Sequence, residues 1–325
     1  MADEMTVGSI LGVLKEAFVP TPPTLDELPE SIREFRIKQD AIKKRAHDHL
    51  YITDFAYKPC VRRLAYTLLD PSIKDKAKDA QILFKMDAGT SIHAWFQEEV
   101  LGPMRILEGH WECSRCGHVE VGTMPTSPCL SKIKVLDLMS DKWVEQSCKD
   151  VGIAKKEEGT TEPTEEKIGM KWKFKEQRIV LNFHGIEVTG RPDGIIIIVN
   201  GRLLEIKTTD SERFAALTGP KDYHIFQASV YAAELGFDEI VLMHIDQGDW
   251  SNIKAYPVEA DPSAVVAIEN ACETISFLVK ENDPLRALPT CNKRSAWKAR
   301  ECGCKDICFP LKRKAAKKKV AKKSG

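Results

Sequence analysis

The chain has 325 residues, enough for one large domain with insertions or for two small domains, each with a sizeable core. A content of 43% hydrophobic and 30% charged residues excludes a disordered or membrane-spanning protein, and the longest aliphatic run, 195–199, is too short to cross a bilayer. Of the 48 Lys and Arg residues, eight lie in residues 311–325, which contain no acid, so the rest carries 40 basic and 48 acidic groups.

This charge asymmetry bears on binding partners. An acidic body is compatible with a site that collects carboxylates around metal ions. The basic tail is either a solvated, disordered extension or one that also contacts nucleic-acid phosphates. Lys15 and Glu16 interrupt the apolar stretch near Ile10, so no secretory signal is predicted. We therefore expect a cytoplasmic protein without a membrane partner.

The first third of the chain is predicted to be helical. Residues 1–50 indicate two helices separated by the Pro-rich "VPTPPTLDELP", and a third helix is predicted after Thr53 or Asp54, with Cys60 in its first turns. Apolar residues recur at helical spacing through 82–102, a segment that carries His93. From 107 to 171 the pattern dissolves into cysteines and a polar linker, which indicates an insertion.

Strands are predicted next. "KFKEQRIVLNF", "IEVTGRPDGIIIIV" and "RLLEIKT" alternate or run apolar, and His184-Gly185 and Asn200-Gly201 are typical of hairpin turns, so we expect an antiparallel meander. A helix over 222–237, two short strands and a helix capped by Asp261 follow. The predicted fold class is α/β, an α+β arrangement in which a mixed sheet is flanked by helices, after a helical N-terminal part.

One predicted hairpin carries the residues of a candidate site. Side chains alternate across a strand, so Glu205 and Lys207 share a face while Ile206 points into the core. If Asp193 joins them, two carboxylates can hold a hard divalent cation, and the lysine can steady a nucleophilic water or a phosphate. The simpler alternative is that these residues are surface charges on an edge hairpin.

The register of this hairpin decides whether the two acids meet. A strict two-residue turn at Asn200-Gly201 pairs Ile196 with Glu205 and places Asp193 on the opposite face. A one-residue bulge, at Gly201 or near Gly194, would bring it to the same face, and glycine permits such a bulge.

The order of these residues along the chain resembles the PD-(D/E)XK nucleases of the RecB-like exonuclease group. The resemblance covers roughly residues 50–310. Its closest form is the iron–sulfur branch, which includes the CRISPR-associated RecB-like exonuclease, the AddB nuclease domain and phage-encoded relatives. Four motifs carry it: Gly89 with His93, Gly190 with Asp193, Glu205 with Lys207, and Gln227 with Tyr231.

The resemblance implies roles for these residues. Mg²⁺ or Mn²⁺ would be coordinated by His93, Asp193, Glu205 and the Ile206 carbonyl. Lys207 would orient the attacking water, and Gln227 and Tyr231 would position the DNA backbone or Lys207 itself. Glu176 is a candidate for the additional acid that relatives often carry upstream. Fixed cations suit phosphodiester hydrolysis because they offset the charge that builds on the phosphoryl and leaving oxygens.

Ten cysteines in a cytoplasmic chain favour metal ligands over disulfides. In the iron–sulfur branch one cysteine precedes the core and three follow it. The resemblance therefore implies a 4Fe–4S cluster on Cys60, Cys291, Cys302 and Cys308, with Cys304 as the alternate ligand. Four thiolates could equally hold zinc, and in either case the role would be structural. Cys272 is expected to be a buried core residue.

A second group of cysteines lies in the predicted insertion. Cys113, Cys116 and Cys129 supply three soft ligands for zinc, and the fourth is His110, His118 or Cys148. The insertion is interpreted as a zinc module that contacts DNA or a partner protein, and the alternative is a set of unliganded cysteines.

The predicted organisation has three parts: a helical segment over 1–50, a nuclease domain over 51–310 that contains the insertion and linker of 107–171, and a basic, disordered tail over 311–325. Two functions follow. The first is a metal-dependent DNA exonuclease that acts on DNA ends or single strands in replication, recombination or repair. Its partners would be DNA and a recombination or replication protein. The second is a non-catalytic nucleic-acid-binding or recombination-adaptor module that keeps the nuclease fold.

Overall fold

The structure is a computed structural model. It describes residues 28–42, 49–57, 59–70, 72–73, 78–137, 142–148, 153–155, 164–166, 171–196 and 201–310. The predicted first helix and the basic tail lie outside the described residues. By their contacts, the described parts of 28–42 and 78–85 form one compact unit, and those of 49–73 and 86–310 form the other. All of the predicted site residues belong to the second unit.

Nine α-helices occur in the described parts of the chain. They are α1 Leu28–Ile42, α2 Ile52–Ala56, α3 Val61–Leu69, α4 Ala80–Trp95, α5 Ser211–Ala215, α6 Asp222–Leu235, α7 Ser263–Lys280, α8 Trp297–Glu301 and α9 Lys305–Cys308. A π-helical turn, Phe96–Leu101, continues α4, and a 3₁₀ turn spans Pro284–Arg286. Among these described helices, none combines the length and apolar character that crossing a membrane requires.

Fourteen strands are described. They are β1 His49–Tyr51, β2 Leu107–Cys113, β3 Val119–Thr123, β4 Lys132–Asp137, β5 Lys142–Ser147, β6 Ile153–Lys155, β7 Thr164–Glu166, β8 Trp172–Lys175, β9 Ile179–Phe183, β10 Ile186–Gly190, β11 Gly194–Ile196, β12 Arg202–Thr209, β13 Glu239–Asp246 and β14 Ile253–Glu259.

Most strands form two mixed sheets. The larger has seven strands in the order β14-β13-β12-β11-β2-β3, with β8 also paired to β2, and in it only β12 and β13 run parallel. The smaller has the order β1-β10-β9, with β1 parallel to β10. Two separate hairpins, β4–β5 and β6–β7, complete the described strands. The protein is therefore a mixed α/β fold with helices against its sheets, as the pattern of elements predicts.

The predicted antiparallel meander is wrong, because its strands are divided between the two sheets. β9 and β10 pair in the smaller sheet, whereas β11 and β12 pair in the larger one. The break falls at 191–193, where Pro192 has no amide hydrogen to donate to a ladder. The segment after Leu107 also differs from expectation, since β2 is a member of the larger sheet.

Cys60 does not lie inside a helix that begins near Thr53. The chain instead forms the short α2, and Cys60 is the N-cap residue of α3. Pro59, one position earlier, separates the two helices, because a proline ring disfavours helical backbone in the residue before it.

The hairpin register differs from both registers considered for the sequence. Gly194 pairs with Leu204 and Ile196 with Arg202, so the connection spans 197–201 instead of two residues. The longer loop shifts the pairing by an odd number of residues, which exchanges the faces. Extending this register by one residue places Asp193 level with Glu205.

Two hydrophobic clusters lie on opposite faces of β12. Leu203 belongs to the cluster packed by α6 and α7, whereas Leu204 and Ile206 belong to the cluster that contains Trp111. Ile206 is fully buried, as predicted. Glu205, in phase with Leu203, consequently faces α6.

Candidate active site and cysteine centres

Asp193 is held by three elements. Its Oδ2 accepts a hydrogen bond from the Ile206 amide at 2.5 Å, and its Oδ1 lies 3.3 Å from His93 Nδ1. The side-chain amide of Gln97 donates to the Asp193 carbonyl at 2.8 Å. His93 and Asp193, both predicted metal ligands, therefore lie side by side. Although burial lowers it, the hydrogen bond and charge of Asp193 raise the pKa of His93 above its usual value.

Glu205, Lys207, Gln227 and Tyr231 form a second, connected set. Lys207 Nζ donates to Glu205 Oε1 and, at 3.3 Å, to Gln227 Oε1. The Gln227 amide donates to Glu205 Oε1 at 3.0 Å and to the Tyr231 hydroxyl at 3.1 Å. Burial opposes protonation of Lys207, but the neighbouring Glu205 and Asp193 raise its pKa, so the amine remains an ammonium.

Glu205 has one oxygen that the protein does not satisfy. Its side chain is 2% exposed, and Oε2 is buried without a hydrogen-bond partner in the described structure. Burial raises the pKa of Glu205 to about 7; Lys207 acts to lower that pKa, and Asp193 to raise it. A buried carboxylate oxygen without a partner is costly unless a cation or water meets it.

Glu176 joins the site. One ligand atom from each of His93, Glu176 and Asp193 lies within 4.8 Å of the others, a spacing that could hold a metal ion. Burial, followed by the charge of Asp193, raises the pKa of Glu176. Hydrophobic periodicity could not predict that Glu176 belongs to the site, because the residue lies in a loop after the short strand β8. Its only signal was an upstream acid in the resemblance.

Two glycines of the four motifs stand where the backbone passes close to the site. A Cβ at Gly190 would lie 2.4 Å from Tyr231 Cε1, and one at Gly89 would lie 2.8 Å from Thr208 Oγ1. Without side chains, Gly89 lets α4 approach β12, and Gly190 lets the end of β10 approach α6. These approaches place α4, which carries His93, beside β12, and α6, which carries Tyr231, beside the end of β10.

Cys113, Cys116, Cys129 and Cys148 form the second group with metal-ligand spacing. Their sulfur atoms lie within 4.8 Å of one another, with 3.7 Å between Cys113 and Cys148 and 3.6 Å between Cys116 and Cys129. Of the three candidates for the fourth position, the group contains Cys148. His118 instead lies 3.8 Å from Glu120 on the surface, and His110 lines a cavity beside His93.

The backbone and one serine shape this group. The Cys113 amide donates to the His118 carbonyl at 2.8 Å and the Gly117 amide to the Cys113 carbonyl at 2.9 Å, which closes a tight turn around Cys116. Burial acts against the thiolate of Cys116, but hydrogen bonds from Ser131 and His118 lower its pKa to about 6. The four cysteines could therefore bind a metal ion or cluster.

Cys60 and the C-terminal cysteines share one neighbourhood. Burial raises the pKa of Cys291, and the charges of Cys60, Cys302 and Cys308 raise it further. Cys304 is buried and hydrogen-bonded to Cys302. Among the described residues, these thiols are not gathered within 4.8 Å as the other four are. A four-iron cluster separates its thiolates more than a single ion does, because the iron and sulfide atoms occupy the centre.

No family model and no curated protein matches the sequence. Among solved structures, the chain is similar to one described as "Crystal structure of SSO0001". The two are 15% identical with a TM-score of 0.43, and the match covers 86% of this chain and 96% of that one.

Proposed function

We propose that the chain is a metal-dependent nuclease with a PD-(D/E)XK core, which hydrolyses DNA phosphodiester bonds at ends or in single strands. One observation carries the proposal: Asp193, which directly precedes β11, accepts a hydrogen bond from the Ile206 amide of β12, and the adjacent Glu205 keeps a buried oxygen without a hydrogen-bond partner among the described residues. His93 on α4 contacts Asp193, and Gln227 on α6 donates a hydrogen bond to Glu205.

The spacing of His93, Glu176 and Asp193 fits a hard divalent cation. Mg²⁺ or Mn²⁺ would be held by His93, Asp193, Glu205 and the Ile206 carbonyl, with Glu176 as a further carboxylate. Carboxylate oxygens are the ligands that such ions prefer, and the unsatisfied Glu205 Oε2 would gain a partner. When bound, the cation supplies a more acidic water and offsets charge on the phosphoryl oxygens.

Lys207 and Gln227 would handle the substrate oxygens. Because Lys207 stays protonated, it cannot act as a general base at neutral pH, and it instead donates hydrogen bonds to the attacking water or a phosphoryl oxygen. Gln227 contacts Lys207, Glu205 and Tyr231 at once, so it fixes the direction in which the ammonium points. Tyr231 remains a neutral donor, since burial and Glu205 raise its pKa.

The experiment is digestion of end-labelled single- and double-stranded DNA, compared with circular DNA, in Mg²⁺ or Mn²⁺. The wild-type protein should degrade linear DNA. Lys207→Met and Asp193→Asn should each lower kcat by at least about a hundredfold. Glu269→Gln, which neutralises an exposed carboxylate on α7, should not. DNA binding by the wild type without turnover would favour the non-catalytic module instead.

We further propose that Cys113, Cys116, Cys129 and Cys148 hold zinc. Zn–S bonds of about 2.3 Å in a tetrahedron place the sulfur atoms about 3.8 Å apart. The distances of 3.7 and 3.6 Å are close to that value. The 4Fe–4S cluster on Cys60, Cys291, Cys302 and Cys308 remains part of the proposal, supported by the shared neighbourhood of these thiols.

A further inference from the structure

Two cavities open on either side of the candidate site. The first has a volume of about 650 Å³ and is lined by His93 and Glu176; the second has a volume of about 580 Å³ and is lined by Gln227 and Tyr231. Arg178 and Arg191 line both cavities. The two cavities therefore adjoin at a pair of arginines beside the candidate metal ligands.

The two arginines differ in their surroundings. Arg178 forms a surface ion pair with Glu187 at 2.6 Å. Within the described parts of the chain, the exposed guanidinium of Arg191 has neither a hydrogen bond nor an ion pair, although its charge acts on Glu176. A guanidinium presented in this way suits bidentate binding of a phosphate.

We propose that Arg191, assisted by Arg178, binds the phosphate next to the scissile one, so that a single nucleic-acid strand runs through both cavities. This inference rests on the proposed function and names its substrate class. A sphere of either volume is about 10–11 Å across, whereas the major groove of a duplex alone is about 12 Å wide. A single strand fits, and a duplex would have to open first.

The chemistry of both walls agrees with this path. Phe174 and His110 line the first cavity and Tyr51 and His49 the second, so an unpaired base can meet an aromatic ring on each side. The carboxylates alone would repel a polyanion, and the arginines supply the positive charge that offsets this repulsion.

The test is binding of fluorescent DNA by the full-length protein without added Mg²⁺ or Mn²⁺. A single strand of about six nucleotides, enough to reach into both cavities, is compared with a blunt duplex. Arg191→Ala should weaken single-strand binding about tenfold and flatten its salt dependence, and Arg191→Lys should restore part of the loss. Arg178→Ala should have a smaller effect. Arg202→Ala is the matched control, because it also removes a surface ion pair, with Glu239, but lines neither cavity.

Three results separate this inference from the proposed function. Single-strand binding that depends on Arg191, in a wild type that cuts no DNA, supports the strand path and overturns the nuclease. The strand path alone is overturned if the wild type cuts DNA but Arg191→Ala and Arg178→Ala bind single-stranded DNA as tightly as Arg202→Ala does. Equal affinity for blunt duplex and single strand overturns the choice of a single strand.

Discussion

At Gly190 the strand β10 ends against the ring of Tyr231, and there is no room for even one methyl group. The Tyr231 hydroxyl accepts a hydrogen bond from the Gln227 amide, and Gln227 Oε1 in turn accepts one from Lys207 Nζ. A residue that makes no polar side-chain contact thus controls the position of the proposed water-orienting ammonium.

Gly190→Ala should therefore displace Tyr231. Overpacking of this kind costs about 1–3 kcal/mol, and kcat on DNA should fall with the loss of the Gln227 contact. Gly219→Ala is the matched control, because the same methyl group there meets no atom within 4 Å. Chemical denaturation measures both variants. Equal stabilities would show that Tyr231 can move aside freely.

The acids should also give a metal-dependent stability that needs no turnover. Mn²⁺ at a hundred times its dissociation constant should stabilise the wild type by about 2.7 kcal/mol, because it binds only the folded chain. Asp193→Asn should lose most of this increment, and Glu269→Gln should keep it. A thermal melt with and without Mn²⁺ measures the difference. The same increment in Asp193→Asn would remove that residue from the metal site.

At the level of elements, periodicity was a good guide wherever a single element decides the outcome. The helix with Gln227 and Tyr231 is present. Pro262, and not Asp261, is the N-cap residue of α7, although Asp261 accepts a hydrogen bond from the Ser263 amide beside it. The helix ends at Lys280.

Pairing between elements was predicted poorly. That Glu205 and Lys207 share a face follows from alternation within one strand. Whether Asp193 meets them depends on the length of the β11–β12 connection, and the Asn200-Gly201 pair wrongly predicted a two-residue turn there. Cys148 has no close cysteine in the sequence. It is brought to the group by the β4–β5 hairpin, and the Cys148 amide closes the base of that hairpin by donating a hydrogen bond to the Ser131 carbonyl at 2.8 Å.

The four-cysteine group joins the end of β2 to the base of that hairpin. Cys148→Ser should lower the zinc content from about one ion per chain to near zero, because one lost thiolate opens the tetrahedron. Cys272→Ser should retain zinc, since Cys272 lies on the buried face of α7, in the hydrophobic core. Elemental analysis of the purified proteins measures the ion. Zinc retained in Cys148→Ser would return His110 or His118 to the fourth position.

Across the whole molecule, the segment around Cys60 is fastened to the C-terminal region. Arg62 Nε donates to the Ala287 carbonyl at 2.7 Å, Thr290 Oγ1 to the Pro59 carbonyl at 2.9 Å, and Lys298 Nζ to the Tyr57 carbonyl at 2.8 Å. If the proposed iron–sulfur cluster also links these two regions in the unfolded chain, it lowers the conformational entropy of that chain strongly, because the linked residues are far apart in sequence.

Arg62→Met should keep the packing of this buried side chain while leaving carbonyl groups unpaired. We expect a loss of about 1.5–3 kcal/mol in the free energy of unfolding. Arg202→Met, at an exposed ion pair, should cost well under 1 kcal/mol. Urea denaturation measures the free energy of unfolding of both variants. A similar loss in each would show that the hydrogen bonds of Arg62 to the C-terminal region contribute little to stability.

The iron–sulfur proposal is tested by colour. Protein purified without oxygen should be brown, and Cys60→Ser, Cys291→Ser, Cys302→Ser and Cys308→Ser should each bleach it. Cys304→Ser should keep the colour. If Cys304→Ser bleaches the protein while Cys302→Ser stays brown, Cys304 and not Cys302 is the cluster ligand. Colourless protein with stoichiometric zinc at these cysteines would exclude the cluster and leave the nuclease proposal intact.

The position of β12 inside the larger sheet has a consequence for motion. β12 is paired on both sides, with β11 and β13, so the amides of Glu205 and Lys207 should exchange with deuterium only on near-global opening. Glu176 follows β8, which pairs with β2 alone among the described strands, and its amide should exchange far sooner. The side of the site formed by β12 is then rigid, whereas the side that carries Glu176 can move. Substrates of different shape would therefore be accommodated on the Glu176 side.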